Sequence, residues 1–210
     1  MRVAVLVSGS GSNLQALLDA LRPGGPARVV HVISSRPSAG ALERARKAGV
    51  PTTVLADTQD AAELLAALRD TDLAVLAGYL HRIPPAVVAR FRLRLINIHP
   101  ALLPAFGGPG MYGRRVHEAV LASGAPISGA TVHYVDEEYD RGPIIAQWPV
   151  PVRAGDTPES LAVRVLEVEH RLLPRVVLEL AHRGPSGVPL RLFADGSAFV
   201  TGDGIALQFE

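Results

Sequence analysis

No cysteine occurs anywhere in the chain, so disulfides, thiolate nucleophiles and cysteine-bound metals are excluded. Long apolar runs are missing too. The first, Val3–Val7, leads straight into Ser8-Gly9-Ser10-Gly11, which is too short for a bilayer and lacks a signal peptide's layout. Neither sign of charge is in excess: 21 basic residues face 20 acidic ones, spread along the chain without a basic block. Nucleic acid and membrane are therefore not expected as partners, and a soluble cytoplasmic protein, monomer or homodimer, is the default. Two methionines, a single lysine (Lys47) and 17 prolines form a bias shared by heat-adapted proteins and GC-rich genomes. Asparagine also occurs only twice, as Asn13 and Asn97. Both fall in segments that carry other polar groups suited to chemistry.

Apolar residues are plentiful. They make up 48% of the 210 residues, with a mean hydropathy of +0.23, enough for a sizeable core. Val3–Val7 reads as a strand buried on both faces, and Leu14, Leu17, Leu18 and Leu21 as the buried face of a helix stopped by Pro23-Gly24-Gly25-Pro26. Strands are expected at Val29–Ile33, Thr52–Leu55, Leu73–Ala77 and Leu93–Ile98, and helices at Ala39–Ala48, Ala61–Leu68 and Pro84–Phe91. That alternation implies an α/β fold, a doubly wound, mostly parallel Rossmann-like sheet. The later part changes character. Ala130–Val135 and Ile144–Val152 read as antiparallel strands around an acidic loop, and Pro158–Arg183 as a long helix kinked at Pro174. The glycine-rich Phe106–Val116 stretch reads as a long loop. Leu190–Phe193, Ala198–Thr201 and Ile205–Phe209 form a terminal β-meander with Asp195-Gly196 and Asp203-Gly204 turns. A single domain is expected over residues 1–210, with a phosphate-binding half (1–100), a catalytic half (101–185) and a β extension (186–210).

In such sheets ligands bind beyond the carboxyl ends of the strands, so the turn after the first strand is a site by geometry. Gly9 and Gly11 allow close backbone approach, the next helix offers free N–H groups to an anion, and Ser10, Ser12 and Asn13 add donors. The third glycine of a dinucleotide fingerprint is replaced by Leu14, and the second strand ends in Ser34-Ser35-Arg36 without an acid for a ribose. The loop alone leaves open a monophosphate site or a tight structural turn, with an NADP site behind both.

Asn97 and His99 lie two residues apart at a strand end, so an amide and an imidazole share one face. Such donors suit a developing oxyanion in acyl transfer to an amine. A nearby carboxylate would keep the imidazole charged and relay a proton. Asp140, in Asp136-Glu137-Glu138-Tyr139-Asp140, is the candidate. The bland alternatives are a strand-end histidine bonded to a backbone carbonyl and a solvated acidic turn. His133 either faces the same site or is a core histidine. His117-Glu118-Ala119-Val120-Leu121 lacks the second histidine of a zinc motif, and no metal is expected.

Together, Ser8-Gly9-Ser10-Gly11-Ser12-Asn13-Leu14-Gln15-Ala16, Asn97-Ile98-His99-Pro100-Ala101-Leu102-Leu103-Pro104, Gly129-Ala130-Thr131-Val132-His133 and Asp140-Arg141-Gly142-Pro143-Ile144-Ile145 closely resemble the phosphoribosylglycinamide formyltransferase family. The likeness runs from Arg2 to about Arg183. It implies a transformylase of purine biosynthesis that uses 10-formyltetrahydrofolate as co-substrate, glycinamide ribonucleotide as acceptor, and no metal. It implies Asn97, His99 and Asp140 as the catalytic trio with His133 nearby. Gly11, Ser12, Asn13 and Glu169 would contact the ribonucleotide. Leu80, His81, Arg82 and Ile83, with Asn97 and the loop of Asp136, Glu137, Glu138, Tyr139 and Asp140, would line the folate pocket. Departures stand out: His81 intervenes before Arg82, the Phe106–Val116 stretch is longer than in many members, Leu166 stands where a polar residue often helps hold the phosphate, and no arginine lies between Arg46 and Arg69 to meet the folate tail. The alternatives are a 10-formyltetrahydrofolate hydrolase, whose extra N-terminal domain is not expected here, and a non-catalytic NADP-binding module. Methionyl-tRNA formylation is disfavoured by the near-neutral charge.

Overall fold

Val3, Val5 and Val7 pack into one hydrophobic cluster while Ala4 and Leu6 pack into another, so strand β1 (Arg2–Val7) is covered on both faces. The structure, a computed structural model, describes residues 1–184 and the backbone of three further strands at 192–194, 198–201 and 206–208. The two clusters are the two sides of one sheet. On one side lie α1 (Ser12–Ala20), α2 (Gly40–Lys47), α5 (Arg114–Ala122) and α6 (Pro158–Arg183); on the other lie α3 (Ala61–Ala67) and α4 (Pro85–Arg90).

The sheet runs β3 (Thr52–Val54), β2 (Arg28–Ser34), β1, β4 (Leu73–Leu76), β5 (Leu95–His99), β6 (Ile127–Tyr134), β7 (Ile144–Pro151). Its first five members are parallel and β6 and β7 antiparallel. This is the doubly wound, mostly parallel sheet with an antiparallel end that the sequence implies. The strand order reverses between β1 and β4, which opens a crevice at their carboxyl ends. The terminal strands β8 (Leu192–Ala194), β9 (Ala198–Thr201) and β10 (Ala206–Gln208) pair antiparallel as a meander. The turns expected at Asp195-Gly196 and Asp203-Gly204 lie outside the described residues, as do Leu190, Ile205 and Phe209.

Two details differ from the sequence reading. Strand β5 starts at Leu95, because Leu93 takes a left-handed conformation (φ 57°) and belongs to the preceding turn. Helix α5 begins at Arg114, inside the stretch expected to be loop. Its buried face is only Val116, His117 and Val120, too short a pattern for periodicity to separate from the glycines before it. Helix α6 spans Pro158–Arg183, as expected, with Pro174 inside it, and starts at a reciprocal cap between Thr157 and Ser160, with Pro158 in its first turn.

The turn from β1 into α1 needs a glycine for two reasons. Gly11 sits at φ 77°, and a Cβ on it would lie 2.6 Å from Ala41 Cβ and 2.7 Å from Ala41 Cα on α2. Gly24 has a similar φ of 83° with nothing within 4 Å. Gly24→Ala is therefore expected to cost about 1 kcal/mol from backbone strain alone, and Gly11→Ala about 1–3 kcal/mol more from overpacking. Urea denaturation of both variants checks this, and equal losses would remove the role given to Ala41.

Candidate active site

Antiparallel pairing of β5 with β6 sets Asn97 opposite His133 and His99 opposite Thr131. The pairing of β6 with β7 slips at Val132/His133, where the extra residue, Ile145, lies on β7. Asp140 arrives from the loop between β6 and β7 in a left-handed conformation, φ 56°. Asn97, His99, His133 and Asp140 line one cleft of about 600 Å³ at the carboxyl ends of β4 and β5.

Asp140 is the hub. Its Oδ2 accepts the Gly108 N–H at 2.9 Å and lies 3.7 Å from His99 Nδ1. Its Oδ1 lies 3.5 Å from both Asn97 Nδ2 and His133 Nε2. Asn97 Nδ2 also donates to His133 Nε2 at 3.1 Å, while His133 Nδ1 donates to the Tyr134 carbonyl at 2.8 Å. A neutral His133 thus presents Nε2 as an acceptor to Asn97; a protonated one would donate toward Asp140. His99 Nε2 donates to the Phe106 carbonyl at 2.9 Å, which leaves Nδ1 as its free nitrogen.

The charges differ from the sequence expectation that a carboxylate keeps His99 charged. Burial pushes the His99 imidazole below its ordinary value, and the pull of Asp140 and the Phe106 carbonyl does not overcome it. For Asp140, burial acts upward but is outweighed by His133, the His99 charge and the Gly108 N–H, so the carboxyl titrates below its usual range. The resting pair at neutral pH is a neutral imidazole beside a carboxylate.

The glycine loop meets α6 at this cleft. Asn13 Nδ2 donates to Glu169 Oε2 at 2.7 Å, and both residues line the cleft. Burial, partly offset by Asn13, raises the Glu169 carboxyl to about 7. Asn13 Oδ1 is buried without a partner among the described residues. Helix α1 has no side-chain cap at its N-terminus. Gly11 and Ser12 lie outside the lining of the main cleft; Ser12 instead borders a second, shallower depression.

At the other end, Leu80, His81, Arg82 and Ile83 line the cleft opposite Asp136, Glu137, Glu138 and Tyr139. Arg82 Nη2 donates to the Glu137 carbonyl at 2.6 Å and so joins the two walls, whereas His81 packs on Tyr79 with ring centroids 5.7 Å apart. Leu80 and Tyr139 are exposed apolar groups at the mouth. Sequence reasoning missed His117 as a lining residue. Its Nδ1 is buried without a partner among the described residues, and burial, then the His99 charge, push its imidazole down. It also missed Phe106 and Gly108, which act through their backbones and so carry no side-chain signature. Among the described residues no group of three or more His, Cys, Asp or Glu is placed to hold a metal, and no helix is long and apolar enough to cross a membrane.

Comparison with known proteins agrees with this geometry. A formyl transferase family model matches residues 1–177. The chain is 47% identical over 186 residues to the chloroplastic phosphoribosylglycinamide formyltransferase of Arabidopsis thaliana, covering 84% of this chain but 64% of that relative, so it spans just under two thirds of the plant protein. It is 39% identical over 186 residues to phosphoribosylglycinamide formyltransferase of Escherichia coli (strain K12), covering 84% of this chain and 85% of the relative. The crystal structure of glycinamide ribonucleotide transformylase 1 from Symbiobacterium toebii superposes with a TM-score of 0.81 at 41% identity, covering 93% of this chain and 91% of that one. Likeness at this level, over nearly the whole described structure, means that the chain belongs to the formyl transferase family, in its phosphoribosylglycinamide formyltransferase branch.

Proposed function

We propose that the chain transfers the formyl group of 10-formyltetrahydrofolate to the amine of glycinamide ribonucleotide. The observation that carries this reading is the convergence of Asn97, His99, His133 and Asp140 in one cleft. Residues 1–100 supply the ribonucleotide end through Gly11, Ser12 and Asn13, with Glu169 reaching in from α6. Residues 101–185 supply His133 and Asp140, which meet Asn97 and His99 from the first half, and 186–210 are the C-terminal extension of the same single domain. The folate end takes Leu80, His81, Arg82 and Ile83 on one wall and the Asp136–Asp140 loop on the other, with Asn97 between. Both substrates are charged and stay in the compartment that makes them, which we take to be the cytoplasm, although the plant relatives are chloroplastic.

In the reaction the amine nitrogen bonds to the formyl carbon, the C–N10 bond breaks, and the proton lost by the amine ends on N10. No metal or redox step is called for. Asn97 Nδ2–H donates to the oxyanion that develops on the formyl oxygen, a contact of the kind worth about 3 kcal/mol. His99 has Nε2–H committed to Phe106, so its Nδ1 receives and returns the proton. Asp140, ionised beside Nδ1, takes that proton from the amine and hands it on. The imidazolium formed while the oxyanion exists then stabilises it.

Turnover of the folate should require glycinamide ribonucleotide; equal deformylation without it would make the chain a hydrolase. His99→Ala and Asp140→Asn should each lower kcat about 10²–10⁴-fold while both substrates bind within a few-fold of wild type. Near wild-type kcat in both would remove their roles. Glu169 gives a pH test. Its folded value of about 7 lies above its ordinary 4.5, so the stability present at low pH is lost as pH rises through the folded value. Glu169→Gln should therefore be more stable than wild type at about pH 8, by about 3 kcal/mol, with no pH-dependent gain left at about pH 4. A stability difference that does not change with pH would contradict the burial of that carboxyl.

A further inference from the structure

Arg44, on α2, is a cation without a carboxylate. Its Nε donates to the Ser10 carbonyl at 2.9 Å and its Nη1 to Gln15 Oε1 at 3.2 Å, both neutral acceptors. Neighbouring Glu43 is taken by Arg46 and Lys47, and among the described residues no acid lies within ion-pair reach of Arg44. The side chain is half-buried. A partly desolvated charge with only neutral partners is costly unless an anion completes it.

Its surroundings point the same way. Arg44 borders the second depression together with Ser12, Gln15 and His170, beside the N-terminus of α1. That terminus carries no side-chain cap and no acid in its first turn. His170 Nε2 is buried there without a partner among the described residues, and burial, then the Arg44 charge, hold its imidazole below its ordinary value. The one acid at the rim, Asp19, accepts from Gln15 Nε2 at 2.9 Å. One turn before Arg44, Ala41 donates its N–H to the Gly9 carbonyl at 3.2 Å and packs against Gly11. Helix α2 therefore braces the glycine loop from behind, and Arg44 grips the Ser10–Gly11 peptide itself.

We propose that Arg44 is a positioning residue for the phosphate end of the amine substrate: it orients the Ser10–Gly11 peptide so that the loop N–H groups face the phosphate, and it brings a positive charge to that end of the site. This rests on the glycinamide ribonucleotide reading and deepens it. Lysine at position 44 keeps the charge but not the fork that holds both the Ser10 carbonyl and Gln15.

The test compares glycinamide ribonucleotide with the same molecule lacking its phosphate. Arg44→Met should raise KM for the ribonucleotide at least tenfold, with kcat at saturation and KM for the folate within twofold of wild type. On the dephosphorylated substrate, wild type and variant should show the same kcat/KM. Arg44→Lys should recover part of the loss, and ribose 5-phosphate should inhibit wild type better than Arg44→Met. If Arg44→Met does not fold, Arg44→Gln and Arg44→Lys carry the same comparison. An unchanged KM, or an equal loss on both substrates, would overturn the role of Arg44. Absence of wild-type turnover would instead overturn the underlying reading of the substrate.

Discussion

Everything at the site depends on one strand pairing. A parallel sheet alone would present Asn97 and His99 at an open edge, where their polar groups would have only water. Adding β6 antiparallel to β5 covers that edge and sets His133 across from Asn97. The β6–β7 turn then returns Asp140 over the same strand ends. A buried polar cluster is tolerated because its members satisfy one another: an amide, two imidazoles and one carboxylate share their contacts with the backbone of Phe106, Gly108 and Tyr134.

Burial and pairing compete here, and the balance sets the chemistry. For His99 burial wins and the imidazole rests neutral; for Asp140 the partners win and the carboxylate survives. Both groups thus titrate below their ordinary values, so at neutral pH a neutral imidazole sits beside an ionised carboxylate. The Phe106–Gly108 segment ties into both. It takes the Nε2 proton of His99 and covers one oxygen of Asp140, which leaves Nδ1 as the single point of exchange between them.

How much of this was legible in the sequence follows from what kind of contact is involved. Strand alternation is a backbone rule, so it places Asn97 and His99 on one face without further information. The β1–loop–α1 unit is equally readable, since Gly11 and the leucines of α1 carry local signals. Asp140 is different. Its approach depends on its own left-handed conformation in a loop and on the register slip at Ile145 of β7, neither of which has a side-chain pattern, and only family likeness suggested it. Helix α5 was hidden because its three buried residues follow a run of glycines. The neutral state of His99 could not be read at all, because it is set by how deeply the folded chain buries the ring.

The central claim is that His99 and Asp140 work as one unit. The direct measurement is kcat for wild type, His99→Ala, Asp140→Asn and the double variant under saturating substrates. If the pair acts together, the double variant loses no more than the worse single variant, since removing either partner already disables the exchange at Nδ1. Losses that simply multiply would show two independent groups and contradict the account.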